Sequence, residues 1–159
     1  MTTIKYASPV GEILLTAQDD ALTQLYFVGG RTTPATLQCG NQNPQDMAIL
    51  KEAKSQLEAY FAKKLKEFSL PLNPNGTAFR KKVWEALCTI GYGQAISYKE
   101  LAQRINNPKA IRAVGGANHN NPISIIIPCH RVIGADGKLV GYGGGLHVKE
   151  FLLGLEGWK

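Results

Sequence analysis

Apolar and polar positions first fall into three short runs, 4–7, 12–17 and 21–28, that carry β-branched or aromatic residues. Ser-Pro-Val-Gly and Gln-Asp-Asp separate them. Short runs bounded by turn residues predict three β-strands. Residues 29–45, rich in Gly, Thr, Pro, Asn and Gln, predict a loop. The period then changes: Ile49, Ala53, Leu57 and Tyr60 recur at helical spacing behind Asp46, which predicts a helix capped by Asp46 and running to Phe61. Phe68 to Leu72 reads as one more strand.

The second half is patterned mainly for helices. Thr77 is placed to cap a helix running to Cys88, with Phe79, Val83, Trp84 and Leu87 facing a core. Ser97-Tyr-Lys-Glu100 fits a capping box opening a helix to Arg104. Asn107-Pro108 reads as a cap and first-turn proline for a helix from Lys109 to Asn118. Two short helices joined by a few residues resemble a helix-turn-helix. Ile125 to Pro128 predicts a buried extended segment, Val132 to Val140 a hairpin around Asp136-Gly137, and Leu146 to Leu155 a final amphipathic helix.

The chain has 159 residues, 44% hydrophobic and 19% charged, which fits one domain or two small ones and excludes a disordered chain. The longest apolar run is too short for a membrane span. The first residues lack the pattern of a secretory signal. Cys39, Cys88 and Cys129 are odd in number and irregularly spaced, which points to a reducing compartment such as the cytoplasm. Residues 1–77 hold seven basic and seven acidic residues, whereas residues 78–159 hold eleven and five and so carry the whole net charge of +6. A basic half fits a polyanionic partner, nucleic acid first, or serves solubility alone. The shift falls at Pro71-Leu-Asn-Pro-Asn-Gly76, so the expected organisation is an N-terminal domain over 1–73, a linker over 74–77 and a second domain over 78–159.

Pro128-Cys129-His130-Arg131 carries the strongest chemical signal. A thiol is nucleophilic as the thiolate, and a neighbouring imidazole and guanidinium can take its proton or lower its pKa. Cys39 and Cys88 read as structural. Zinc has little support, because there is no CxxC or HExxH and His119, Cys129 and His130 lack ligand spacing. Gly141-Tyr-Gly-Gly-Gly145 lacks the spacing and the preceding strand of a dinucleotide loop. Arg112-Ala-Val-Gly-Gly-Ala117 places two glycines inside a helix at about 1 kcal/mol each, which fits either close helix packing or a small-residue face entering a groove.

Ile-Pro-Cys-His-Arg-Val over 127–132 resembles the active-site signature of the O6-alkylguanine-DNA alkyltransferases, the methylated-DNA–protein-cysteine methyltransferases. Phe79-Arg-Lys-Lys-Val-Trp84, Gly93-Gln-Ala-Ile-Ser-Tyr98, Arg112 to Ala117, Asn121-Pro122, Gly141 to Gly145, Lys149-Glu150 and Glu156 follow in the family's order. The resemblance covers 78–159; the first 77 residues match in length and strand-rich character. It implies an α+β chain with a ribonuclease H-like N-terminal α/β domain and a helical C-terminal domain bearing the helix-turn-helix.

The resemblance also implies the chemistry. Cys129 would accept an alkyl group from guanine O6, with thymine O4 as a second candidate donor, once and irreversibly. His130 would take the thiol proton through a water, Glu156 would hold the imidazole, Asn121 would brace the cysteine segment, and Tyr98 would donate to the departing guanine. Val132 and Gly143 would read the base through their backbones, with Tyr142 shaping the pocket. Arg112 would fill the stack left by a base flipped from double-stranded DNA. Ala113, Gly115, Gly116 and Ala117 would line the minor groove, and Lys81, Lys82, Lys99, Lys109 and His119 would be candidates for phosphate contact. No cofactor, metal or membrane is implied, and a monomer is expected. Ile111 stands where many members have alanine, and Gly143 where some have serine or alanine. A lesion sensor without chemistry and a cysteine hydrolase are the competing readings.

Overall fold

The computed structural model describes residues 2–28, 43–139, 142 and 145–158. The three opening runs form β1 (Thr2–Ser8), β2 (Gly11–Gln18) and β3 (Ala21–Phe27), an antiparallel meander in that order. Asp19 and Asp20, both with positive φ, form the tight β2–β3 turn. Aspartate tolerates this left-handed conformation, which matches the strand twist. Ile13 to Ala17 of the central strand are all buried, and α1 (Pro44–Phe61) packs on the sheet through Leu50, Ala53, Leu57 and Tyr60.

α1 begins earlier than its apolar period implies. Asn43 is the cap, its side chain accepting from Gln45 N at 2.9 Å, and Pro44 opens the first turn. Asp46 lies inside that turn, where its carboxylate takes Asp20 N at 3.3 Å. The strand expected over 68–72 reduces to one bridge, Leu22 to Leu72. Pro71 has no N–H to extend a ladder. A second parallel bridge, Leu25 to Ile123, lies along the same edge of β3. Leu25 N donates to Pro122 O at 2.8 Å, so the N-terminal sheet grips the segment that leads to Cys129.

The second half contains α2 (Ala78–Leu87), β4 (Ile96–Ser97), α3 (Tyr98–Arg104), α4 (Ile111–His119), a 3₁₀ turn (Cys129–Arg131), β5 (Val132–Ile133) and α5 (Leu146–Leu155). Thr77 and Ser97 cap α2 and α3 as expected, accepting from Arg80 N and Glu100 N. The Glu100 carboxylate turns to Arg104. α4 starts at Ile111, after Ala110, with no side-chain cap. Asn107 O accepts Ala110 N at 3.0 Å, so Pro108 is used in a turn rather than in the helix.

Two other expectations change. Residues 125–128 are buried but turned: Ile125 has φ 70°, Ile126 N donates to Ser124 O, and Ile127 N donates to Ile123 O. β5 pairs in parallel with β4, Ile96 opposite Val132, and has no return strand of a hairpin among the described residues. The turn around Asp136-Gly137 does form, with Gly134 N donating to Lys138 O at 2.9 Å, while Val140 lies outside the described residues. The β4–β5 pair ties the start of α3 to the residue after Cys-His-Arg. One hydrophobic core runs through both halves, from Leu15, Leu25 and Tyr60 to Trp84, Ile127 and Leu152.

Candidate active site

Cys129 opens the 3₁₀ turn and is 5% exposed. Asn121 clasps the loop before it: its amide donates to Ile127 O at 2.8 Å and its carbonyl accepts from Ile123 N at 3.0 Å. The clasp spans Ile125, a β-branched residue held in the left-handed region, where such residues are rare. Burial pushes the Cys129 thiol up; hydrogen bonds from Asn121 and Ser124 and the charge of Lys149 oppose this without reversing it. The thiol therefore rests protonated and needs a base.

His130, the next residue, is fully buried. Its Nε2 faces Glu156 Oε2 at 2.7 Å. A neutral ring donating from Nε2 to a carboxylate leaves Nδ1 as its acceptor. Nδ1 has no hydrogen-bond partner among the described protein groups. Burial pushes the imidazolium down from its ordinary range, and the Glu156 contact opposes it. Burial would also raise the Glu156 carboxyl, but donors from His130, Arg131 and Tyr60 hold it at about 2.

Arg131 does not approach the thiol as the tripeptide implies. Its Nε and Nη2 bind Glu156 at 2.8 and 3.1 Å, and its Nη1 binds Ile90 O at 2.7 Å. A buried carboxylate between an imidazole and a guanidinium needs such partners. Cys129, His130 and Arg131 lie together on the 3₁₀ turn. Lys149, fully buried, donates to Val132 O at 2.6 Å, and burial lowers its pKa to about 8 against the opposing pull of Cys129. Val132 N donates to Cys129 O, so both polar groups of that backbone unit already have protein partners.

Tyr98, on the first turn of α3, is half-buried; burial keeps its phenol protonated against a hydrogen bond from Asn118. Asn118 also reaches Cys129 O at 3.5 Å. Tyr142 is 5% exposed and packs on Phe27, and burial drives its phenol far above its ordinary value. Gly143 and Cys39 lie outside the described residues. Cys88, read as structural, is an exposed free thiol at the end of α2.

Gly115, Gly116 and Ala117 do not share one face of α4, because consecutive helical residues point about 100° apart. Ala117 is buried, and its carbonyl accepts Trp84 Nε1 at 2.9 Å. A methyl on Gly115 would lie 3.8 Å from the Tyr98 ring, whereas one on Gly116 would meet open space. The exposed face carries Arg112, Ala113 and Gly116, with Ile111 and Lys109 also exposed. Lys81, Lys82, Lys99 and His119 are surface residues too.

Sequence reasoning missed Tyr60. It sits in the apolar stripe of α1, and its hydroxyl donates to Glu156 Oε2 at 2.5 Å. A stripe position occupied by Tyr looks like any aromatic core position. Asn118 and Ser124 were missed as well, since neither belongs to a reactive motif. Among the described residues, no three His, Cys, Asp or Glu side chains gather to hold a metal ion, and no helix is long and apolar enough to cross a membrane.

Residues 78–158 match the family described as 6-O-methylguanine DNA methyltransferase, DNA binding domain, and residues 1–74 its ribonuclease-like domain. A methylated-DNA–protein-cysteine methyltransferase from Methanosarcina acetivorans is 51% identical over 96% of each chain. One from Haemophilus influenzae is 45% identical over 95% of this chain and 83% of its own. The structure resembles Mycobacterium tuberculosis OGT in complex with DNA, with a TM-score of 0.85 and 44% identity over 98% of this chain and 92% of that one. With an N-terminal sheet and helix, a C-terminal helical half and a buried Cys-His-Glu array, this chain belongs to the 6-O-methylguanine DNA methyltransferases, enzymes of the methylated-DNA–protein-cysteine methyltransferase class.

Proposed function

We propose that the protein repairs DNA by moving an alkyl group from guanine O6 onto Cys129, once per molecule. The observation that carries this reading is a buried thiol beside a histidine whose Nε2 is committed to Glu156 and whose Nδ1 is its basic nitrogen. His130 Nδ1 takes the thiol proton through a water. The sulfur lone pair attacks the alkyl carbon in line, the C–S bond forms as the C–O6 bond breaks, and the electron pair leaves with the base. Tyr98 donates to guanine N3 as negative charge develops there, the kind of preorganised stabilisation that counts most in a dry site. The resulting thioether has no base in the site able to reverse it, which ends the molecule's activity.

The chemistry requires an unstacked base, and flipping costs a few kcal/mol. Arg112 fills the vacated stack while Ala113 and Gly116 let α4 approach the minor groove, with Lys109 nearby. Tyr142 shapes the guanine pocket. Val132 contributes through its backbone. In this reading residues 1–73 form the bracing domain, 74–77 the linker and 78–159 the acceptor domain. A monomer acts on double-stranded DNA in a reducing compartment such as the cytoplasm, without a cofactor.

The test is a repair assay on a duplex with one O6-methylguanine, comparing the natural protein with Cys129→Ser. The variant is expected to bind the duplex and leave the lesion intact. Repair by Cys129→Ser would overturn the reading.

A further inference from the structure

Glu156 Oε2 is shared. His130 Nε2 lies 2.7 Å from it, Tyr60 Oη 2.5 Å and Arg131 Nη2 3.1 Å. Oε1 is left to Arg131 Nε. Tyr60 alone among these donors comes from the N-terminal half, reaching across 96 residues of sequence. Its ring is fully buried and held by edge contacts to Phe61 and Tyr92, with Phe68 tilted against it. Tyr92 in turn lies under the Arg131 guanidinium and donates to Leu155 O, next to Glu156. The hydroxyl therefore cannot swing away without breaking an aromatic cluster.

We propose that Tyr60 is a positioning residue through which the N-terminal domain sets the proton affinity of His130, by drawing charge from the carboxylate oxygen that the imidazole shares. A hydrogen bond to a carboxylate disperses its charge. Less charge on Oε2 holds an imidazolium less firmly, so Tyr60 keeps His130 neutral and Nδ1 available as a base. The remaining groups facing this pair are Arg131 on the 3₁₀ turn, Lys149 on α5, Tyr92 and Tyr142 from loops, and the Cys129 thiol. Arg131 and Lys149 disfavour the imidazolium, whereas Glu156 favours it.

The role of His130 as base rests on the proposed alkyl transfer, but its proton affinity can be read without any substrate. The His130 ring is followed by NMR against pH in the natural protein and in Tyr60→Phe, which keeps the ring and removes the donor. The variant's His130 is expected to titrate higher by about half a pH unit or more, and the acid limb of its alkyl-transfer rate to move the same way. The dispersion of the same spectra reports folding. Site-specific 3,5-difluorotyrosine at position 60, a stronger donor of nearly equal size, should shift His130 downward and keeps the test open if Tyr60→Phe does not fold. An unchanged His130 titration in a folded variant, or shifts of the same sign in both, would overturn the proposal. Absence of transfer by the natural protein, with these shifts intact, would instead sink the repair reading alone.

Discussion

His130 places Nε2 against Glu156 Oε2 at 2.7 Å, and this one contact leaves Nδ1 as the acceptor nitrogen of the neutral ring. It also makes folding sensitive to acid. Glu156 falls from 4.5 to about 2 on folding, despite burial, because of its donors. The folded state thus holds this proton more weakly than the unfolded chain. The contribution is complete above about 4.5 and is lost as pH falls through about 2, a span of roughly 3 kcal/mol. The lowered His130 acts in the same direction, removing stability as pH falls below 6.5. Denaturant unfolding between pH 7 and pH 2.5 (about the accessible range) should show a steady loss. In Glu156→Gln the segment below 4.5 should flatten from a start about 3–5 kcal/mol lower, because Arg131 is left buried without its carboxylate. A natural protein with acid-independent stability would contradict this assignment.

Two glycines should respond in opposite ways to a methyl group. On Gly76 it would lie 2.4 Å from the Trp84 ring, which is pinned by its bond to Ala117 O. Gly76→Ala should therefore lose about 1–3 kcal/mol by denaturant melting. Gly116→Ala meets open space in a helix interior and should gain about 0.5–1 kcal/mol. In the proposed reading α4 approaches the groove through this open space, so binding to duplex DNA should nonetheless weaken in Gly116→Ala. Unchanged DNA affinity in Gly116→Ala would remove Gly116 from the interface.

Asn121→Ala removes both hydrogen bonds that clasp the loop holding Ile125 at φ 70°. The loss leaves the buried Ile123 N–H unpaired, at about 1–3 kcal/mol, while Ile127 O keeps its bond from Cys129 N. Unfolding midpoints should drop accordingly, and single-turnover alkyl transfer should slow further than stability alone explains. Natural rates from a destabilised variant would limit Asn121 to a folding role.

Arg112 is exposed on α4, so Arg112→Ala should change stability by less than about 0.5 kcal/mol. If Arg112 fills the stack as proposed, the transfer rate on duplex DNA should fall by about tenfold or more, because a flipped base is then no longer replaced. The penalty should shrink on a single-stranded substrate, which has no stack to refill. Equal loss on both substrates would argue against insertion.

Much of this site was legible in the residues, and its limits are physical. Thr77 and Ser97 cap their helices as their spacing predicts, because capping is local chemistry. His130 and Glu156 meet, although 26 residues separate them. Asn107-Pro108 misled because cap-and-proline also suits a turn. The run 125–127 misled because burial looks the same whether the backbone is extended or turned. Tyr60 and Arg131 were invisible as partners of Glu156, since hydrogen bonds across the fold leave no local periodicity.

The most direct test mixes the protein with a duplex carrying one O6-methylguanine and weighs the intact chain. A gain of about 14 Da, saturating at one per molecule and mapped by peptide fragmentation to Cys129, is the predicted result. Tight binding to the lesion with no gain in mass, or a methyl group carried on Cys88 instead, would contradict the account.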